Sequence, residues 1–366
     1  MDAPWRARVL DPPLQTGDRP GTGGRIRRRS ADFMVEEIPA YAPNGQAGAH
    51  LLLTMTKQGL SSEEAVRALA EHLQLDRRLL GMAGRKDRDA ITTQWVSVPA
   101  DAEARLASFE HPAIRLGPAR PHGNKLRTGH LRGNRFDLVI RQLAVEPAEA
   151  VARARDTLSA LRARGGLANL YGPQRFGTKG HQLDRGLDAL RRGHGGKRGN
   201  LAVAAGQAGL FNLYAWIRRE RDLWRTVLMG DVLKTTRGGL FECEDPAVDQ
   251  ARLDAGELSI TGPIYGSRMA SPSAGTTAAM LEAEVLAVAG IEPAALSRLG
   301  RKVAGTRRVL AVTVEPVALE PAQAVPTEGL GPGLRLRFGL PPGSYATQLC
   351  REIQGDDEHP ADISLD

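Results

Sequence analysis

Residues 83–98 read AGRKDRDAITTQWVSV. Residues 91–98 form a run of strand character, rich in β-branched side chains, and Gly84 allows a tight turn ahead of it. Between the two stand Lys86 and Asp87, a cation and a carboxylate side by side. A carboxylate just before a strand is held by a rigid scaffold yet can face a cleft. If the backbone is extended there, adjacent side chains point to opposite sides. Lys86 then cannot share a pocket with Asp87; it leans on a phosphate or packs below. Taken alone, the segment also reads as an ordinary solvated turn.

Outward from this stretch, the period of two recurs. Residues 31–38 (ADFMVEEI) and 50–57 (HLLLTMTK) read as strands. In residues 134–141 (NRFDLVIR), Phe136, Leu138 and Ile140 share a face. Late in the chain, residues 307–315 (RRVLAVTVE) and 334–340 (LRLRFGL) repeat the pattern, the second aligning Leu334, Leu336, Phe338 and Leu340. Helical signals lie between. Ser61 with Glu64 is a capping box, followed at helical spacing by Val66, Leu69, Ala70 and Leu73. Pro147 opens a second helix that packs through Val151, Ala154, Leu158 and Leu161 and stops at Gly165-Gly166. A third is expected over residues 210–228, with Leu213, Tyr214 and Ile217 on one stripe. Ser344 is expected to cap a final helix over 345–353.

The strands therefore form an early and a late group around a middle, about 169–305, rich in glycine and basic loops. This order predicts an α+β fold with a mixed, antiparallel-rich central sheet interrupted by an inserted domain. The expected division is residues 1–168 with 306–366 for one domain and 169–305 for the insertion. A chain of 366 residues, 42% apolar, is too long for one compact core.

No apolar run is long enough to cross a bilayer, and the arginine-bearing N-terminus lacks the apolar stretch of a secretory signal. Only two cysteines occur, Cys243 and Cys350, too few for a disulfide framework or a cysteine-based zinc site. That usage fits a reducing cytosol. The formal net charge is +7 and the pI about 9.7. The cations cluster: Arg25, Arg27, Arg28 and Arg29 stand together, residues 119–135 hold five basic side chains and no acid, and residues 175–200 hold seven against two acids. Such surfaces suit a polyphosphate backbone. The acidic end, residues 354–366, is expected to fray.

Other chemistries lack their signatures. The eight histidines show no HExxH or similar ligand spacing. There is no GxxxxGK[ST] and no GxSxG. GTGGRIR (21–27) and GLGPGLR (329–335) do not sit between a strand and a helix as a dinucleotide fingerprint requires. Catalysis, if present, is expected to be carboxylate-based and free of cofactor or metal. Asn134 and Phe136, two apart on one strand face, could hydrogen-bond and stack against a base, although Phe136, like Phe338 and Phe33, also reads as plain core.

Four segments carry a resemblance. GRKDRDAITTQ (84–94) resembles the G-x-K-D-x-x-A-x-T-x-Q signature of the TruD family of tRNA pseudouridine synthases. NLYGPQRFG (169–177) resembles that family's N-[YF]-[FY]-G-x-Q-R-F-G segment, with Leu170 standing where an aromatic is common. HLRGNRFDLVIR (130–141) resembles its G-N-x-F strand, and FGLPPGSYATQLCRE (338–352) its P-x-G-S-[YF]-A-T segment. The resemblance implies a pseudouridine synthase catalytic domain with an inserted α/β TRUD domain, together clasping tRNA, with uridine 13 of the D-arm as substrate. It implies Asp87 as the catalytic aspartate and Arg27 as a basic residue near it. Phe136 falls where most other synthases have tyrosine, and Phe33, Asn134 and Phe338 fall at positions lining the uridine pocket. It further implies a cytoplasmic monomer that needs tRNA and neither membrane nor small-molecule cofactor.

Physical chemistry accommodates those roles. The isomerisation breaks the C1′–N1 bond, turns the uracil and forms C1′–C5. A carboxylate could attack C1′, attack the base or take a sugar proton. Burial would neutralise it unless a permanent cation such as Arg27 kept it charged and oriented. Rings at Phe33, Phe136 and Phe338 would confine the detached base. Asn169 to Gly177 reads equally as a boundary loop with Arg175 on a local carboxylate, or as an RNA contact. Two competing functions stand beside this one: a tRNA-binding or chaperone protein without turnover, and a nuclease or glycosidase using Asp87 and Asp89.

Overall fold

The structure, a computed structural model, describes residues 4–43, 45, 48–194 and 201–355. Most of the acidic C-terminal segment and the basic residues Lys197 and Arg198 lie outside the described residues.

Among the described residues, fifteen strands build three sheets. In chain order they are β1 (Phe33–Pro39), β2 (His50–Lys57), β3 (Gly81–Met82), β4 (Ile91–Pro99), β5 (Ile114–Leu116), β6 (Arg120–His122), β7 (Leu131–Arg141), β8 (Leu167–Ala168), β9 (Val232–Thr235), β10 (Leu240–Glu242), β11 (Leu258–Ile264), β12 (Thr306–Val309), β13 (Ala311–Val312), β14 (Val317–Ala322) and β15 (Gly333–Leu340). The central sheet runs β14-β15-β7-β1-β4-β2-β5, with β3 on β4 and β6 on β2. Its pairs are antiparallel except β1 with β4. The fold is α+β with a mixed, antiparallel-rich sheet, as the strand patterning predicted. Pro321 is tolerated in β14 because that strand is an edge.

The alternation decides which face is covered. Phe33 and Val35, then Phe136, Leu138 and Ile140, then Leu334, Leu336 and Phe338 are all buried and face the helices Pro147–Ala163 and Ala346–Gln354. Further along the same sheet, Leu51, Leu53, Met55, Val96 and Val98 pack on the helix Ser62–His72. That helix opens with the expected box: Glu64 N–H donates to Ser61 Oγ and the Ser61 N–H to Glu64, a cap worth about 1 kcal/mol. Pro147 occupies the first turn of its helix. The Gly166 N–H then closes it on the Leu161 carbonyl, with Gly165 and Gly166 both at positive φ.

A second core surrounds the helix Leu201–Glu220, with Phe211, Leu213 and Tyr214 fully buried. A four-stranded antiparallel sheet, β10-β9-β11-β12, lies against it. The helix His181–Arg192 crosses so closely that a Cβ on Gly186 would meet the Ala202 carbonyl at 2.0 Å. The short pair β8 with β13 joins the two points where the chain passes between cores. The N-terminal helix Pro4–Leu10 packs on Leu201–Glu220, burying Val9 in this second core.

Three local expectations need correction. The third helix covers Leu201–Glu220, not 210–228. It ends because Asp222 turns left-handed, at φ 54°, and the Leu223 N–H returns to the Arg218 carbonyl. Residues 307–315 do not make a strand of the central sheet; they divide between β12 and β13, and the edge strand is β14 instead. Ser344 does not cap the last helix, because its hydroxyl donates to Asn169 Oδ1. Among the described residues no helix is long and apolar enough to cross a membrane. Both cysteines are free and buried.

Candidate active site

A register row crosses five strands on the helix-covered face. Phe338 lies opposite Phe136, Phe136 opposite Val35, Val35 beside Thr92, and Thr92 opposite Lys57. The Phe136 and Phe338 rings stack, with centroids 5.2 Å apart and planes at 21°. One row over, Asn134 pairs with both Glu37 and Leu340. Gly133 lets the chain after β15 come close here, since a Cβ there would stand 2.5 Å from the Leu340 carbonyl. Two polar atoms in these rows, Asn134 Oδ1 and Thr92 Oγ1, are buried without a hydrogen-bond partner. Buried polar atoms are nearly always paired; Thr92 is closed off from solvent, whereas Asn134 is only partly buried and keeps an acceptor free for a polar group.

The loop before β4 is pinned over this surface from several sides. Lys86 turns away from Asp87, as the extended-backbone reading required. Its Nζ donates to Glu37 Oε2 at 2.6 Å, with the two side chains 6% and 0% exposed. Glu37 also accepts the Trp95 N–H at 3.2 Å. The Lys86 N–H donates to Ser62 Oγ, whose hydroxyl donates to Gln94. Arg88 reaches Glu64. Lys57, fully buried, donates from Nζ to the Asp87 carbonyl at 2.6 Å.

Asp87 is thereby presented toward Arg27, whose Nη2 donates to Oδ2 at 2.7 Å. The Arg27 guanidinium lies 4.3 Å over the Phe33 ring. Arg27 holds a left-handed backbone, φ 60°, which costs a non-glycine residue about 1 kcal/mol. Its Nε is buried without a partner. An exposed pair of this kind adds little stability, about 0–1 kcal/mol, so the strain is spent on aiming the guanidinium. The structure thus brings together Arg27, Phe33 and Asp87 directly, and sets Asn134, Phe136 and Phe338 in adjoining rows of the same face. Asp87 is not enclosed: its side chain is 59% exposed, because the rings line the sheet and the loop leaves the carboxylate above them.

A second cluster joins the Asn169–Gly177 loop to Arg308 and Tyr345. Arg308 donates to the Asn169 carbonyl at 2.9 Å, to Asn169 Oδ1 and to the Gly343 carbonyl, and stacks 4.3 Å over Tyr171. Tyr345 lies 5.8 Å from Tyr171. Burial pushes the Tyr345 hydroxyl up, the Arg175 and Arg308 cations oppose this, and the Asp87 charge adds to it, so Asp87 and this cluster share one electrostatic neighbourhood. Among the described residues Arg175 binds no carboxylate; its guanidinium lies 5.7 Å from the Tyr171 ring and its Nε is buried without a partner. The Asn169 amide also donates to the Val309 carbonyl, tying the start of this loop to β12.

Lys57, Thr92, Arg308 and Tyr345 escaped the sequence reading. Lys57 had a signal: it continues the parity of Leu51, Leu53 and Met55, and so was due on the inner face. The other three depend on contacts between distant segments, which no local pattern reports.

Comparisons with known proteins find relatives over most of the chain. A family model described as tRNA pseudouridine synthase D (TruD) matches residues 13–185 and 198–353. The tRNA pseudouridine synthase D of Anaeromyxobacter dehalogenans (strain 2CP-1 / ATCC BAA-258) is 42% identical over 367 residues, covering 97% of this chain and 99% of its own. That of Thermus thermophilus is 39% identical, over 93% of this chain and 91% of its own. A crystal structure of a protein assigned as tRNA pseudouridine synthase D from Methanosarcina mazei shares the fold, with TM-score 0.73 and 21% identity over 97% and 98% of the two chains. With matches of that length and identity, the chain belongs to the TruD family of tRNA pseudouridine synthases.

Proposed function

We propose that this chain isomerises uridine 13, in the D-arm of tRNA, to pseudouridine, with Asp87 as the catalytic carboxylate and without cofactor or metal. The observation that carries this reading is the Arg27–Asp87 contact at 2.7 Å, set over Phe33 beside the stacked pair Phe136–Phe338. Arg27 orients the carboxylate. Asn134 meets the polar edge of the uracil, and the buried rings Phe33, Phe136 and Phe338 form the apolar floor beneath it. The C1′–N1 bond breaks, the base turns over that floor, C1′–C5 forms, and the proton on C5 is exchanged for one on N1. Asp87 acts where sugar meets base. The exposed carboxylate becomes desolvated only when the flipped nucleotide covers it, and electrostatic contacts strengthen at that moment.

The catalytic domain is residues 1–168 with 306–366, and 169–305 is the insertion; the helix Pro4–Leu10 and β12 pack across that division. The two cores clasp tRNA between them through the Asp87 loop and the Arg175–Tyr345 cluster. The protein works as a cytoplasmic monomer. Asp87→Asn is the test, read by pseudouridine content of a tRNA transcript and by tRNA binding. Product formation is lost and binding is kept. Unchanged product yield removes Asp87 from the chemistry, and an inactive wild type favours a protein that only binds tRNA.

A further inference from the structure

With Asp87 read as the reacting carboxylate, we propose that Lys57 is a positioning residue for the same reaction: its ammonium holds the Asp87 backbone in place, and turnover falls when that proton is lost. Lys57 closes the row Phe338–Phe136–Val35–Thr92, so it belongs to the surface that carries the candidate uridine pocket. It is 1% exposed, and its Nζ meets the Asp87 carbonyl at 2.6 Å. A lysine so deeply buried is rare unless paired. Yet no carboxylate is within ion-pair distance of it among the described residues; its charge is directed at a backbone carbonyl.

The charges facing the ammonium are Asp87, Lys86 and Arg88 on the loop and Glu64 on the helix Ser62–His72. Its strand neighbours, Thr92 and Ile114, are uncharged. Burial, only partly offset by Asp87 and Glu64, pulls the ammonium down from 10.5 to about 8. A buried group under that much desolvation is costly to keep for stability alone. What it supplies is a charge-assisted bond to the one peptide whose orientation aims the Asp87 side chain. Loss of the proton near pH 8 weakens that bond and removes the cation beneath the loop. Misplacement of a reacting group by about 1 Å costs on the order of a hundredfold in rate.

The experiment measures single-turnover pseudouridine formation at saturating tRNA transcript from pH 6.5 to 9.5 for wild type, Lys57→Met and Asp87→Asn, with tRNA binding alongside. Wild type loses rate above about pH 8. Lys57→Met is slowed at least about tenfold at neutral pH, binds tRNA within about twofold of wild type, and lacks that alkaline limb. Titration of the uracil itself appears equally in both curves and cancels in their ratio. An alkaline limb unchanged in Lys57→Met overturns the proposal. Product formation by Asp87→Asn overturns the reading of Asp87, whereas an inactive Asp87→Asn with an unmoved limb in Lys57→Met removes Lys57 alone. Should Lys57→Met not fold, the wild-type profile still decides: a rate constant flat from pH 7 to 9 overturns the role.

Discussion

Replacing Lys86 with methionine removes half of an ion pair whose carboxylate is fully buried. Glu37 is 0% exposed, and the ammonium is 6% exposed at 2.6 Å. After the change, Glu37 Oε1 keeps the Trp95 N–H at 3.2 Å, but Oε2 loses its donor. An uncompensated buried charge of this kind costs about 3–5 kcal/mol. In a core of roughly 200 residues that corresponds to a melting point lower by about 10 °C. Methionine is close to lysine in length and apolar, so lost packing contributes little of the drop. Glu37→Gln/Lys86→Met removes both charges while keeping an acceptor for Trp95, and it recovers most of the loss. Turnover does not recover with stability, because the backbone next to Asp87 has lost its tether to β1. The assay is thermal unfolding of both variants together with pseudouridine formation. A single variant that melts within 2 °C of wild type, or a double variant no better than the single, refutes the argument that pairing across this burial dominates.

Arg27→Ala slows turnover by about a hundredfold, as misorientation of a reacting group does, while tRNA affinity changes less than about threefold; the reverse split would make Arg27 a phosphate contact. Phe136→Leu costs at most about 1.5 kcal/mol of stability, yet lowers product formation steeply because the stack on Phe338 is lost; normal activity in a folded Phe136→Leu would mark that ring as core only. Lys57→Met also changes how stability depends on pH. The folded chain holds the Lys57 proton only to about pH 8, the unfolded chain to 10.5. Unfolded molecules bind more protons in that window, so wild-type stability relative to Lys57→Met rises from pH 8 to 10.5, by at most about 3 kcal/mol. Parallel denaturation curves across that window would contradict the burial assigned to Lys57.

Sequence pattern carried the fold wherever one side chain chose a face. β7 and β15 were legible because Phe136, Leu138 and Ile140, and Leu334, Leu336 and Phe338, alternate strictly, and the structure buries each of them. Ser61 and Pro147 announced their helices through chemistry local to the first turn. Failures came where distant groups compete. Ser344 would cap a helix in isolation, but Asn169 Oδ1, brought close by β8 and β13, takes its hydroxyl instead. Residues 307–315 alternate like one strand, yet Leu310 donates its N–H to Ile260 in one sheet while Ala311 pairs with Ala168 in another. Of the candidate site, the resemblance named Arg27, Phe33 and Asp87, which the structure brings together. Their supports were legible only as parity: Lys57 follows Leu51, Leu53 and Met55, and Glu37 follows Phe33 and Val35, onto the inner face, although composition assigns charged residues to the surface.

Those supports explain how one carboxylate can be both exposed and fixed. A buried Asp87 would need strong pairing before any substrate arrived. Here the side chain is 59% exposed, and the buried charges lie one layer beneath, on groups that do no chemistry themselves. Lys57 grips the Asp87 carbonyl, Lys86 grips Glu37, and Ser62 accepts the Lys86 N–H. None of these contacts takes up the Asp87 carboxylate oxygens, which on the proposed role leaves Oδ1 and Oδ2 to Arg27 and the substrate. On the role proposed for Asp87, preorganisation is thereby built into the loop before binding, and the desolvation that strengthens its electrostatics is deferred to the moment a nucleotide closes over it. The arrangement requires that variants at Lys57 and Lys86 act on rate constants more than on affinity. If both instead weakened tRNA binding in proportion to rate, the loop would be a docking surface and not a mount for Asp87.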